Sequence, residues 1–214
     1  MTIFNILLGL HISAGFAALV LGLIPMLGKK GGRTHRQTGR GYVIAMTLVF
    51  ITAVWMSLLK QNWFLLSIGV FSYYLTFTGF RAIRRKESRS LIDLLAASLA
   101  GLVTMSMAGT GAYLIWGQGS GQGWVLLILG SLGGLFALRD LAKEIQRSVS
   151  LDSTQKIRYH IIRMGGSYIA TFSAFAVTNF EFLPPLVNWL LPTAVGSILI
   201  ANATRSWQKR MQRG

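Results

Sequence analysis

Residues 3–40 read IFNILLGLHISAGFAALVLGLIPMLGKKGGRTHRQTGR. Ile3 to Leu27 contain no Asp, Glu, Lys or Arg, and the stretch that follows carries Lys29, Lys30, Arg33, Arg36 and Arg40. A spanning helix needs about 20 apolar residues. This stretch therefore reads as one membrane crossing followed by a basic signal that sets its direction. The same alternation continues along the chain, and it decides the fold.

Seven spans are expected, at about 3–27, 41–59, 63–80, 91–116, 124–138, 156–179 and 186–206. Counted together with the inner ends of spans 6 and 7 (Lys156, Arg158, Arg163 and Arg205), the gaps hold five, one, five, none, six and no basic residues, and the C-terminal tail holds four. Twenty of the 21 Lys and Arg thus fall on one side. The positive-inside rule then puts the N-terminus outside and the C-terminus in the cytoplasm. The expected fold is all-α: a seven-helix transmembrane bundle forming one domain over 1–214. Trp63, Trp116, Trp124 and Trp189 are expected at the outer interface, and Tyr42, Tyr159 and Trp207 at the inner one. Span 5 is short, and its helix should run on through Arg139 to Arg147. Pro192 should kink span 7.

Composition agrees. The 214 residues are 52% hydrophobic and 13% charged, with mean hydropathy +0.53. A soluble domain carries about 25% charged residues. A net charge of +15 can signal nucleic-acid binding, but these charges flank apolar spans. The expected partners are anionic lipid headgroups at the cytoplasmic face, each nearby Lys or Arg contributing roughly 1 kcal/mol. The absence of cysteine excludes disulfides, iron–sulfur clusters and thiolate ligation. The N-terminus lacks the basic start and short apolar run of a secretory signal. Glycines in span 1 (Gly15, Gly22), span 5 (Gly130, Gly133, Gly134) and span 6 (Gly165, Gly166), with Ala170, suit either internal packing or a homo-oligomer interface. No internal repeat is visible, so an inverted-repeat transporter is not supported.

Three histidines carry most of the chemical interest. His11 lies within span 1, ~5 Å to the outer side of its centre. An intramembrane ionisable residue is a functional candidate by default, and its alternative is a neutral hydrogen bond to a neighbouring helix. His160 lies ~15 Å or more further toward the cytoplasm, so the two cannot ligate one haem. Met105 and Met107 match the depth of His11, which leaves a His–Met haem open; methionine there also serves plain packing. His11 and His160 are the metal-ligand candidates.

Span 6 carries His160, Ser167, Thr171 and Thr178 on one helical face, with Arg163 beside them. That stripe reads as a polar pocket wall open to the cytoplasm, or as interhelical hydrogen bonding. The loop from Gly28 to Gly41 is rich in glycine and base and suits phosphate or headgroup contact, though it lacks P-loop order. Its His35 is expected near His160. Among the acids, Ser90 to Asp93 forms a capping pattern, and Asp152 with Gln155 another. Asp140 and Glu144 are expected to offset nearby basic residues. Span 7 has no lysine for a retinal, and two histidines on one face fall short of a three-ligand zinc site.

The pattern His11-x-x-x-Gly15, Gly22, Lys30-Gly31, His35-Arg36-x-x-Gly39-Arg40-x-Tyr42, with His160-Ile161-Ile162-Arg163-Met164 opening a late helix, resembles the bacterial multi-pass membrane proteins called domain of unknown function 2306. The resemblance covers most of the chain. It implies a bacterial cytoplasmic-membrane location and polar positions at His11, His35, Arg36, His160 and Arg163, and it implies no reaction. A kinship to cytochrome b561-like bundles meets the lack of a matched intramembrane histidine pair.

The functional expectation is a small molecule, haem or quinone or similar, bound between helices by a redox-accessory membrane protein. Its candidate ligand-binding residues are His11, His35, Arg36, His160, Arg163, Ser167 and Thr171. The alternatives are a small-solute or lipid transporter, and a structural subunit without a ligand.

Overall fold

Hydropathy separates six helices from the seventh. The computed structural model describes residues 2–85, 90–146, 152–180 and 182–211. Its helices are α1 (Ile3–Leu27), α2 (Arg33–Leu59), α3 (Trp63–Ala82), α4 (Leu91–Gln118), α5 (Gln122–Ile145), α6 (Ser153–Asn179) and α7 (Pro185–Met211). All but α6 are long and apolar enough to cross a membrane. α6 matches them in length, at 27 residues, and turns Arg163, Ser167, Thr171 and Ser173 toward neighbouring helices instead of lipid. Lys86, Arg89, Arg147, Glu181 and Arg213 lie outside the described residues.

The bundle buries polar atoms and shows apolar ones. Thr76, Thr104 and Ser167 are fully enclosed, while Leu95, Leu99 and Leu102 of α4 face outward. That inversion suits lipid as solvent, which rewards no apolar burial between helices and leaves close packing and hydrogen bonds to hold them. α3 and α6 form the centre: α3 packs on α2, α4 and α6, and α6 on α1, α3 and α7. α1–α2, α4–α5 and α6–α7 are the sequential hairpins.

The α4–α5 seam is the tightest. A Cβ added at Gly130 would lie 2.6 Å from the Ala108 amide, and one at Gly123 2.6 Å from the Gly111 carbonyl. Two backbones can approach this closely only without side chains between them. The hairpin turn ends α4 at Gly119, whose φ of 65° is the left-handed conformation glycine adopts without strain. Gly22 is equally crowded, against Tyr42 and Tyr168. Gly15 differs, because nothing lies within 4 Å of its added Cβ.

One boundary and the direction of one aromatic ring depart from the sequence reading. α2 begins at Arg33, so His35, Arg36 and Arg40 stand on a helical turn and not in a loop. The real connection is 28–32, where Gly31 has a φ of 73°. A basic first turn carries no apolar signal, so it is invisible to hydropathy. Trp189 is the second departure. It is only 6% exposed and packs edge-on against Phe64, 5.5 Å between ring centroids. It belongs to the core with Ile68, Phe71, Leu75 and Leu129, whereas Trp63 and Trp116 do face outward.

Candidate functional site

α6 presents two unlike faces, and the candidate site follows from the contrast. On the face toward α2, α3 and α5, every sequence-marked residue finds a protein partner. Ser167 Oγ lies 2.7 Å from Tyr42 Oη and 2.5 Å from Thr76 Oγ1. Thr171 donates to the Ser167 carbonyl at 3.0 Å and sits 3.3 Å from the Met46 sulfur. Thr178 is exposed and bonds its own helix backbone.

The histidines at the basic end act on helix ends. The last four carbonyls of a helix lack intrahelical partners. His160 Nδ1 donates to the Gly79 carbonyl near the end of α3, at 2.8 Å. His35 Nδ1 donates to the Pro25 carbonyl near the end of α1, at 3.2 Å. Lys30 Nζ reaches the same carbonyl at 2.9 Å and also bonds that of Met26. A carbonyl can only accept, so both histidines carry their proton on Nδ1 here. Their rings stand 6.3 Å apart at 63°, so the two residues do meet. Arg36 is exposed nearby. His11 is separate: its Nδ1 lies 2.9 Å from Thr52 Oγ1. The Thr52 hydroxyl donates to the Leu48 carbonyl at 2.7 Å, so the imidazole is the donor. Met105 is 53% exposed on α4, and α4 packs on α3 and α5 while α1 packs on α2 and α6. Among the described residues no three His, Asp or Glu gather as a metal set.

Sequence reasoning missed Asp140. Its Oδ2 accepts from Arg163 at 2.7 Å, from Tyr159 Oη at 2.5 Å and from Tyr74 Oη. Arg163 is 2% exposed and boxed by rings, its Cζ 4.2 Å from the Phe136 centroid and 4.7 Å from that of Tyr159. Its Nη1 is buried without a hydrogen-bond partner, and the ring faces supply cation–π attraction instead. Three helices, α3, α5 and α6, meet at this ion pair. A signal for it exists in the sequence: Gly130, Gly133, Ala137, Asp140 and Glu144 continue one buried face at helical spacing. Further out, Arg81 and Arg85 pair with Asp93, and Arg85 with Glu144, tying α3, α4 and α5 together.

The other face of α6 is different. It borders a crevice of about 470 Å³ between α5, α6 and α7, floored by Phe71 and Leu75 of α3. Ser173 of α6 lines it, is 2% exposed, and has a hydroxyl with no hydrogen-bond partner. Gly165 lies against Ile200 and Gly196 against Ile169, an antiparallel register that brings Ser173 level with Pro192. That proline removes an amide from the α7 ladder. The crevice extends to the basic end, where Arg158, Arg205 and Gln208 line it. Arg158 and Ser173 are fifteen residues apart on α6, about 22 Å along the axis at 1.5 Å per residue. No histidine lines it.

A family model described as predicted membrane protein (DUF2306) matches residues 8–142. The matched stretch takes in His11, His35, Arg36 and Asp140, and it stops before α6. No curated protein and no solved structure matches the chain.

Proposed function

The chain belongs to the DUF2306 family of predicted membrane proteins, and from that premise we propose that it binds a single-chain amphiphile in the crevice between α5, α6 and α7. The observation that carries this reading is the apolar crevice with the buried, unpartnered Ser173 hydroxyl in its wall. A buried hydroxyl without a hydrogen bond costs about 1–3 kcal/mol, and a ligand carbonyl or hydroxyl would remove that cost. The volume falls in the range of small-molecule sites, about 300–1,000 Å³, and the apolar lining with few polar points is what such sites share.

An isoprenoid quinone or a lipid suits these walls. Haem suits them less, because the lining offers no axial ligand. α5 and α7 touch only slightly, so entry from the bilayer between them is the natural route for a molecule already dissolved in lipid.

Quenching by a chain-brominated amphiphile tests the reading, because Trp189 lines the crevice. The expected result is a saturable, near-stoichiometric quench that is missing from Trp189→Phe and from Ala170→Phe, which fills the space. Quenching that rises linearly with bromolipid and is the same in all three proteins would overturn it.

A further inference from the structure

We infer that the ligand of this crevice is anionic, with a phosphate or carboxylate headgroup held at its basic end by Arg158, Arg205 and Gln208 and its chain running inward toward Ser173. The inference rests on the amphiphile reading above and adds the headgroup chemistry.

Charge accounting leads to it. Four of the six acids lie in described residues, and each is already committed. Asp93 holds Arg81 and Arg85, Glu144 holds Arg85, Asp140 holds Arg163, and Asp152 caps α6. Arg158 and Arg205 line the basic end of the same crevice, and among the described residues neither has a hydrogen-bond or ion-pair partner. Two guanidiniums without a carboxylate partner among the described residues, at one end of a mainly apolar channel, form half of an anion site. Guanidinium forks match the oxygens of phosphate and carboxylate in geometry as well as charge. The Gln208 side chain can supply a further donor.

The other end completes the selection. Beyond the arginines the walls are mainly apolar, with Ile162, Gly166, Ile169, Leu75 and Ile200, and the hydroxyls of Thr204 and Ser197 on α7 are the polar points before Ser173. A free phosphate would use only the basic end and leave the apolar length unfilled. A neutral lipid would fill the length and leave both arginines unmatched. An anionic amphiphile satisfies both ends.

The test compares labelled amphiphiles of one chain length with phosphate, carboxylate, choline-phosphate and hydroxyl heads, bound to the full chain in neutral detergent micelles. The anionic heads should bind tighter than the hydroxyl head by about fivefold for each arginine engaged, and the gap should narrow with salt. Arg158→Gln with Arg205→Gln should abolish that preference while the hydroxyl-headed chain binds as before. Equal binding of anionic and neutral heads overturns the anionic inference and leaves the amphiphile reading standing. Failure of every chain to bind, the neutral one included, overturns both. Inorganic phosphate that competes as well as the phosphate-headed chain would assign the basic end to a free anion and overturn the inference for lipid.

Discussion

The two faces of α6 use the same residue types for opposite ends. Toward α2 and α3, Ser167 shares its hydroxyl with Tyr42 and Thr76, and Arg163 is answered by Asp140. Toward the crevice, Ser173 has no partner and Arg158 faces open space. A polar residue in a membrane helix is therefore not itself a sign of a ligand. The sign is a polar residue that the protein encloses and leaves unanswered.

The largest effect should come from the answered face. Asp140→Leu strands Arg163 among rings and should cost about 3–5 kcal/mol, read as a lowered midpoint in denaturing-detergent titration. The double variant Asp140→Leu, Arg163→Met should recover most of that loss, because a buried pair is often neutral against apolar replacements. A double variant as unstable as the single one would mean that the ion pair itself supports the junction. Ser167→Ala comes next. It removes one shared hydroxyl and should cost about 1 kcal/mol, in line with interhelical hydrogen bonds measured in membranes. Ser173→Ala has the opposite sign: it removes a buried hydroxyl without a partner and should raise stability by about 1 kcal/mol. Its ligand affinity should nonetheless fall. Equal losses of stability in Ser167→Ala and Ser173→Ala would erase the distinction between the faces.

The helices were legible because lipid imposes one rule along the whole chain: long apolar runs with basic residues at alternate ends. The polar stripe of α6 was legible as a face, since periodicity alone places His160, Ser167 and Thr171 together. What occupies the space opposite that face was not. Periodicity says which residues align on one helix and nothing about which helix lies across from them. Asp140 illustrates the limit. Beside Arg139 and Lys143 it reads as a local charge offset, yet its partner is Arg163, one helix away. The crevice was equally hidden, because it is made by a gap between α5 and α7 and by glycines that only tertiary register explains. Trp189 misled for a related reason: tryptophan at a span's end signals an interface, and Phe64 from another helix drew it inward.

The Arg163–Asp140 pair has an electrical consequence. A single charge carried across a membrane potential exchanges about 2.3 kcal/mol per 100 mV with the field. Bound together, these two side chains amount to a small dipole, and a voltage does almost no work when they move as one. Any motion that draws α5 away from α6 divides the pair, and only then do the separated charges begin to feel the field. Closed, the junction of α3, α5 and α6 presents a neutral pair to a membrane field.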